Sequence, residues 1–514
     1  MVSKRGAWWR KVAGALSLVG FFSLTRIYHL TFLPIFTDEA IYIRWSQIGS
    51  RDAAWRFISL VDGKQPLYTW IAMVLMRFIE DPVLAGRFVS VIAGFGSMVA
   101  MFLLGREFFR SARIGFIASA LYVLSPFALV YDRMALYDSL TAMLALWSLY
   151  LAVLLVRHVR LDIALLLGMT LGLAVLNKSS GFLSLYMIPA TLLLFDIQKS
   201  NRLRRFGMWF ACVFVVVLVS QSMYSILRLS PLFHMVAQKD TVFIYPFREW
   251  LQHPLEFFMG NIRGMFDWLI HYLTWPIWIA VLLPAVSFWK YGREKMLLYV
   301  WCFTPFIALA LFGRVLYPRF ILFMTLPLLM LAAITIETVL VRWKKTLMAV
   351  AIMAILLWSS IFTDYLLLTN PTHAPIPQAD RGQYINDWPA GWGVRETRDF
   401  LLQESKKGSI AVYTEGTFGL LPYGLEIWLV DNPRIKIQGI WPLTQTPPPD
   451  VFASVKAGPT YLVANQPEDV PDGWPLTLIA FYSKGLRSDR TLRLYKVEEP
   501  AATKSSTLQR SIKS

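Results

Sequence analysis

The chain has 514 residues, 56% of them apolar and 16% charged, with a formal net charge of +17. Soluble domains are about 25% charged, so this composition excludes an ordinary water-soluble globule. Mean hydropathy is +0.50, and the apolar residues gather in runs of about 18–25 between residues 11 and 365, the length that crosses roughly 30 Å of hydrocarbon. The two cysteines, Cys212 and Cys302, both fall inside such runs, which argues against a disulfide framework.

At the N-terminus, Lys4-Arg5 and Arg10-Lys11 precede an apolar run that ends at Leu33. A secretory signal has similar charge, but this run is too long and no small-residue cleavage pattern follows, so it reads as a retained first span. The cations concentrate in short connections further along: Arg106, Arg110 and Arg113; Arg157, His158 and Arg160; Lys199, Arg202, Arg204 and Arg205; Lys290, Arg293 and Lys295; Arg342, Lys344 and Lys345. Positive charge beside spans marks the cytoplasmic side, which also accounts for the net charge without a nucleic-acid partner. The connections 34–83, 131–138, 177–180, 228–265 and 313–319 then face outward, as does the chain beyond residue 365.

About eleven spans are predicted on this basis, at 12–33, 84–105, 114–131, 138–156, 161–177, 180–197, 206–227, 266–288, 296–313, 319–341 and 346–364. An odd number leaves the N-terminus in the cytoplasm and the C-terminus outside. The apolar stretch 66–79 is only about 14 residues long, better suited to an interfacial helix than to a span. Counting it as a span would move Arg106, Arg110 and Arg113 to the outside.

After Tyr365 prolines and polar residues appear, including Asn370-Pro371, Pro375 and Pro377. Helices are predicted at 394–405 and 418–429, and strands at 409–414, 434–439, 460–464, 475–482 and 491–497. That alternation reads as a small α/β domain over 366–500, followed by a polar tail, 501–514, expected to be disordered. The predicted fold class is an α-helical polytopic membrane protein over 1–365 with a small C-terminal α/β soluble domain. There is no G-x-G-x-x-G, no G-K-[ST] and no internal repeat.

Cations on the outward side oppose the orienting bias. Lys64, Arg133, Lys178, Arg314 and Arg319 all fall at predicted outer ends of spans or in short outer loops. Snorkelling accounts for any one of them as well as a ligand does; together, with carboxylates at the same level, they favour an anionic ligand. Asp38-Glu39 follows the first span, where Thr37 or Asp38 could cap a helix over 39–48 and hold a carboxylate at the membrane edge. Lys64, in Gly63-Lys64-Gln65-Pro66, opens the interfacial helix, whose N-terminus suits phosphate. Asp138 stands at the entrance of a span, with helix capping as the equal alternative. Lys178 lies in a hairpin, and Arg319, in Tyr317-Pro318-Arg319, can grip phosphate bidentately. His234, His253 and His271 read as solvated or interfacial rather than as a ligand set, and the candidate outer loops hold no D-x-D.

These residues resemble the GT-C class of membrane glycosyltransferases, in the group that includes protein O-mannosyltransferases and the aminoarabinose transferases of lipid A. The matching features are Asp38-Glu39 after the first span, Gly63-Lys64-Gln65-Pro66, Arg133 through Asp138, Asn177-Lys178 with Gly181, and Tyr317-Pro318-Arg319. They cover roughly residues 10–365. Gln65 interrupts the family's Lys-Pro pair, and the C-terminal region lacks the sugar-binding repeats of eukaryotic protein mannosyltransferases.

The resemblance implies a GT-C fold and a polyprenyl-phosphate sugar donor, with a lipid, glycan or protein hydroxyl as acceptor. It casts Lys64, Lys178, Arg319 and Arg133 as ligands of the donor phosphate, Asp38 as first-choice base with Glu39 second, and Asp138 as a further catalytic carboxylate. A single displacement would invert the anomeric carbon. No nucleotide diphosphate takes part, so a divalent metal is compatible with the scheme but not required, and no cofactor is expected. A bacterial inner membrane is the expected location, since eukaryotic accessory repeats and a retention tail are missing. A polytopic transporter or lipid flippase is the competing reading; it would show repeated halves and interrupted helices, and the sequence displays neither. A scaffold that keeps the fold without the chemistry is a third.

Overall fold

A computed structural model describes residues 2–286, 290–342, 347–466 and 470–499. The predicted tail 501–514 and the basic pair Lys344-Lys345 lie outside the described residues. The chain divides into two compact units, one of Met1–Leu33 with Tyr42–Ile385, the other of Pro34–Ile41 with the residues from Asn386 onward.

The first unit is helical. Its first part contains α1 (Val2–Ile27), α2 (Thr37–Arg51, whose first turn is counted with the second unit), α3 (Leu67–Leu75), α4 (Pro82–Phe109), α5 (Ala112–Val123), α6 (Pro126–Asp132), α7 (Tyr137–His158), α8 (Leu161–Asn177), α9 (Gly181–Tyr186) and α10 (Arg202–Tyr224). Later come Met235–Phe243, Phe258–Leu273, Trp275–Leu282, Gly292–Phe312, Leu328–Arg342 and Leu347–Thr369. Among the described residues, five helices are long and apolar enough to cross a membrane, or eight if each of three bent pairs is one span. Shorter apolar helices at Val12–Ile27, Leu161–Asn177 and Gly181–Leu194 fall where three further spans are predicted.

Local chemistry explains several of these ends. Asp81 caps α4, its carboxylate accepting from Leu84 N at 2.7 Å, and Pro82 occupies the first turn, where its missing N–H costs nothing. The stretch 66–79 yields only the nine-residue α3, roughly 14 Å long and so about half a bilayer core.

The bent pairs correct one expectation. The predicted spans 114–131, 266–288 and 319–341 are each broken, by 61°, 105° and 52° respectively. Each break has a proline beside it: Pro126, Pro276 and Pro327. Proline withdraws a donor and collides with the preceding turn, which bends a helix without lowering its hydropathy. At the sharpest break Thr274 adopts a φ of 64°.

A buried ion pair ties three of these segments together. Arg26, on α1, is fully buried, and its Nε lies 3.3 Å from Asp132 Oδ2 at the end of α6. The guanidinium also donates to Val123 O at 2.6 Å, while Asp132 accepts from Tyr122 OH and from Ser139 Oγ on α7, both at 3.0 Å. Every strong contact is thus a hydrogen bond to charge, the condition under which a buried pair is tolerated.

The second unit holds a five-stranded sheet. β1 (Ile410–Glu415), β2 (Ile435–Ile440), β3 (Thr460–Ala464), β4 (Leu476–Lys484) and β5 (Arg487–Val497) lie in the order β2-β1-β3-β5-β4. β1 pairs in parallel with β2 and β3; β5 pairs antiparallel with β3 and β4. The predicted helices appear at Val394–Lys407 and Leu420–Leu429; Pro449–Ala457 adds a third that the sequence reading missed. Tyr413, Val451, Leu462, Trp474 and Val497 form its core. Phe36 bridges Ala390, and Thr37 N donates to Pro389 O at 3.0 Å. The buried Lys484 donates to Trp388 O at 3.2 Å, to Ala390 O and to Asn465 Oδ1, and burial pushes its pKa down to about 7.

The units part after Ile385 rather than at the predicted residue 365. Residues beyond the last apolar helix pack into the first unit: Ala374, Ile376, Asp380, Tyr384 and Ile385 are all buried.

Replacing Asp132 by Ala would strand the Arg26 guanidinium in the bundle. The expected cost is about 3–5 kcal/mol, read as a large fall in the thermal unfolding midpoint of the purified chain in detergent. An unchanged midpoint would show that the pair does not hold α1, α6 and α7 together.

Candidate functional site

The site is assembled where helix ends meet. Asn177, the last residue of α8, donates through Nδ2 to Tyr137 O at 3.0 Å and Thr141 Oγ1 at 2.8 Å, which fastens the end of α8 to the start of α7. The next residue, Lys178, is therefore delivered to the first turn of α7, and its Nζ lies 2.7 Å from Asp138 Oδ1. Asp138 is almost wholly buried, and its charge suits the N-terminal end of α7. It stands inside that first turn and does not cap it; Leu136 is the cap residue.

The hairpin turn after Lys178 leaves no room for a side chain at Gly181, where a Cβ would come within 2.5 Å of the Ala174 carbonyl carbon. Ser179 accepts from Gln65 Nε2 at 2.6 Å, which fixes the hairpin to the loop before α3. Gln65, which departs from the family's Lys-Pro pair, thus connects two parts of the site.

Lys64 follows Gly63, whose φ of 64° suits glycine and where a Cβ would meet Met235 O at 2.3 Å. Lys64 Nζ donates to Tyr42 OH at 2.6 Å, lies 4.6 Å from the centre of that ring, and stands 3.6 Å from Asp62 Oδ2. Asp62 also receives Lys239 Nζ at 2.6 Å. Arg319 is mostly buried, its guanidinium carbon 5.0 Å from the ring centre of Tyr317, and the Lys178 ammonium lies 4.4 Å from that of Phe320.

Lys64, Lys178, Lys239 and Arg319 line one cavity of about 490 Å³, together with Asp138 and Asp240. Much of its remaining wall is apolar, including Phe182, Tyr186, Phe243, Phe323 and Met324. An apolar cavity with convergent charge at one part is the form of a site for an amphiphilic anion.

Of the residues selected from sequence, the structure brings Lys64, Asp138, Lys178 and Arg319 to this cavity. Arg133 is directed elsewhere. Its guanidinium donates to Thr25 O at 2.7 Å, Arg26 O at 3.1 Å and His29 O at 2.9 Å, satisfying carbonyls at the end of α1. Arg314 is exposed and stands 3.9 Å from Glu249. Asp38 and Glu39 lie in the first turn of α2, among the residues of the second unit. Glu39 is fully buried and its Oε2 accepts from Phe36 N at 2.9 Å, the reach-back contact of a capping box. Glu39, rather than Thr37 or Asp38, makes this capping contact. The sequence reading missed Asp62, Lys239 and Asp240, which fall inside the long predicted connections 34–83 and 228–265, and Asp380, which follows the last span. The adjacent lysine-aspartate pair Lys239-Asp240 was the available signal.

Residues 63–224 match the family described as dolichyl-phosphate-mannose-protein mannosyltransferase. The fold is similar to that of ArnT from Cupriavidus metallidurans, solved bound to undecaprenyl phosphate, with a TM-score of 0.59 at 14% identity over 95% of this chain and 99% of that one. The apo form of the same protein gives 0.57 at 16% identity, over 97% of this chain and 100% of that one. AglB, the archaeal oligosaccharyltransferase from Archaeoglobus fulgidus, solved with an inhibitory peptide and a dolichol-phosphate, gives 0.53 at 12% identity over 89% of this chain and 70% of that one. No curated protein matches the sequence significantly. The chain has the fold of the GT-C membrane glycosyltransferases, with a small C-terminal sheet domain.

Because Gly181 meets backbone, Gly181→Val is expected to force the hairpin open, at about 1–3 kcal/mol, and to move Lys178 off Asp138. Gly207→Ala is the control, since nothing lies within 4 Å of its added Cβ. Thermal unfolding of both variants in detergent checks this; equal midpoints would mean that the tight turn is not required.

Proposed function

We propose that this chain moves a sugar from a polyprenyl-phosphate carrier to a hydroxyl group on a lipid, glycan or protein. The observation that carries the reading is the cavity itself, where four cations stand beside an apolar wall. Polyprenyl phosphate has that polarity: an anionic head on a long hydrocarbon chain. The family match over 63–224 and the polyprenyl phosphates bound to the ArnT and AglB structures support it. The basic connections favour an N-terminus in the cytoplasm and chemistry on the outer side of a bacterial inner membrane.

In this scheme Lys64, Lys178, Lys239 and Arg319 hold the donor phosphate and stabilise the charge it gains as the sugar departs. Arg133 is left out, because its guanidinium is committed to the end of α1. Asp38 is the proposed base for the incoming hydroxyl; Glu39 is set aside, because its carboxylate caps α2. Asp138, paired with Lys178, orients that cation. Attack opposite the leaving phosphate inverts the anomeric carbon, as in inverting glycosidases. The leaving group bears one phosphate, so fixed cations suffice and the scheme calls for no metal.

Two measurements on the full chain in nanodiscs test this. Lys64→Ala and Arg319→Ala should each weaken undecaprenyl phosphate binding by about tenfold or more, as expected for lost hydrogen bonds to charge. Asp38→Asn should bind donor normally but transfer sugar about 10²–10⁴-fold more slowly. A wild-type chain that binds no polyprenyl phosphate would overturn the reading, and undiminished turnover in Asp38→Asn would remove Asp38 as base.

A further inference from the structure

One buried titratable group of the second unit has no part in the reaction just described. Lys484 is the last residue of β4, at the turn into β5, and is fully buried. An ammonium has three donors and no acceptor. Lys484 Nζ directs one donor to Trp388 O, one to Ala390 O and one to Asn465 Oδ1. Asn465 donates in turn through Nδ2 to Trp388 O at 2.8 Å, and its backbone N–H donates to Glu415 Oε2, at the end of β1, also at 2.8 Å. The nitrogen is thus fully committed to the chain at 388–390 and to the end of β3.

Residues 388–391 in turn hold the segment that carries Asp38. Pro389 O accepts from both the backbone N–H and the hydroxyl of Thr37, each at 3.0 Å. Phe36 bridges Ala390, and a Cβ at Gly391 would fall 2.2 Å from Ile35 O. The Phe36 N–H is also bonded to Glu39, so backbone on both sides of Asp38 is fixed. The segment Pro34–Ile41 accordingly belongs to the unit of the sheet, apart from the helix that precedes it. Beside Lys484, Arg487 Nη1 donates to Asp387 Oδ1 at 3.1 Å, so the β4–β5 turn grips this chain at a second point.

We propose that Lys484 is a positioning residue for Asp38: by gathering Trp388 O and Ala390 O it sets the strip 388–390 on which Phe36 and Thr37 are held, and with them the carboxylate that takes the acceptor's proton. Lys484 touches neither substrate; it acts through that strip. The C-terminal unit then has a task in the chemistry, which is to hold the base in place. The proposal rests on the reading of Asp38 as the base.

A lysine that serves only to stabilise the fold is the competing account. Burying an ammonium is costly, and an apolar residue of similar volume in place of a buried charge is often neutral or stabilising. Stability alone therefore gives little reason for a lysine at 484. What lysine adds is direction: three acceptors from two segments converge on one nitrogen. A base needs such direction, because a misplacement of about 1 Å can cost about 10²-fold in rate.

The experiment uses the full chain as wild type, Lys484→Met, Asp38→Asn and the double variant. Transfer is followed by mass spectrometry, as the rate of forming the product that wild type restores to cells lacking the gene. Donor binding is read as undecaprenyl phosphate affinity in nanodiscs, and the Asp38 segment as amide hydrogen exchange over residues 34–41. Lys484→Met should slow transfer by about 10²-fold and quicken exchange at the Thr37 N–H. It should leave undecaprenyl phosphate affinity unchanged, since the residues lining the donor cavity all belong to the first unit. Added to Asp38→Asn, it should slow transfer no further. Full transfer, unchanged exchange over 34–41, or equal losses with and without Asp38 would each overturn the positioning role. A parallel fall in donor affinity, the mark of general loosening, would overturn it too. If Lys484→Met does not fold, Lys484→Gln, one bond shorter, takes its place with the same outcomes. Wild type alone also decides: residues 34–41 should exchange in step with β1 and β3 as urea is raised, and exchange well ahead of the sheet would overturn the role. Undiminished transfer by Asp38→Asn would instead remove the base reading, an outcome distinct from any of these.

Discussion

A cation in an apolar wall must be compensated, and the architecture of the site follows from how that is done. Lys178 is set on Asp138, Lys64 and Lys239 share Asp62, and the Arg319 guanidinium lies over the Tyr317 ring. The Lys178–Asp138 and Lys239–Asp62 pairings each need two segments to arrive together, and other contacts serve that end. Asn177 brings α8 to α7, Gln65 brings the loop before α3 to the hairpin, and Gly181 keeps that hairpin tight. The cations lining the cavity are Lys64, Lys178, Lys239 and Arg319, against Asp138 and Asp240. That imbalance is what an anionic ligand would relieve.

Much of this was legible from sequence, for identifiable reasons. Apolar run length and basic connections located the helices, and once their ends were fixed, Lys64, Asp138, Lys178 and Arg319 stood out as charges at span edges. The three bends were not legible as such, because a proline inside an apolar run leaves the hydropathy unchanged. Arg133 carried the same signature as Lys178, yet it serves the carbonyls ending α1. Whether an arginine meets a ligand or a helix end depends on a neighbour more than a hundred positions away. Lys239 and Asp62 were missed because both fall deep inside long predicted connections, away from the span edges where charge was sought. Asp380 was missed because the chain after a last span reads as linker, whereas here it folds back and buries a carboxylate among tyrosines.

In the second unit the alternation of helices and strands was readable, with one short helix missed. The strand order was not, and neither was the pairing of Phe36 with Ala390, since sequence pattern says nothing about partners that far apart. The Asp38-Glu39 pair shows the same limit at short range. Two adjacent carboxylates look equivalent as text, but the backbone N–H of Phe36 captures Glu39 and so distinguishes them.

The cavity wall from Lys239 to Pro246 is held by pairing with residues 312–315 and by ring contacts of Phe243 with Phe320 and of Tyr245 with Phe257. Its backbone is fixed by Tyr245 N to Phe312 O and Arg314 N to Phe243 O, both at 2.8 Å, and its charge by Lys239 on Asp62. Opening free energies within one protein range from near zero to the full unfolding value, and segments with few contacts lie at the low end. The wall's place in that range is set by the pairing of residues 243–245 with 312–315 and by the Lys239–Asp62 ion pair.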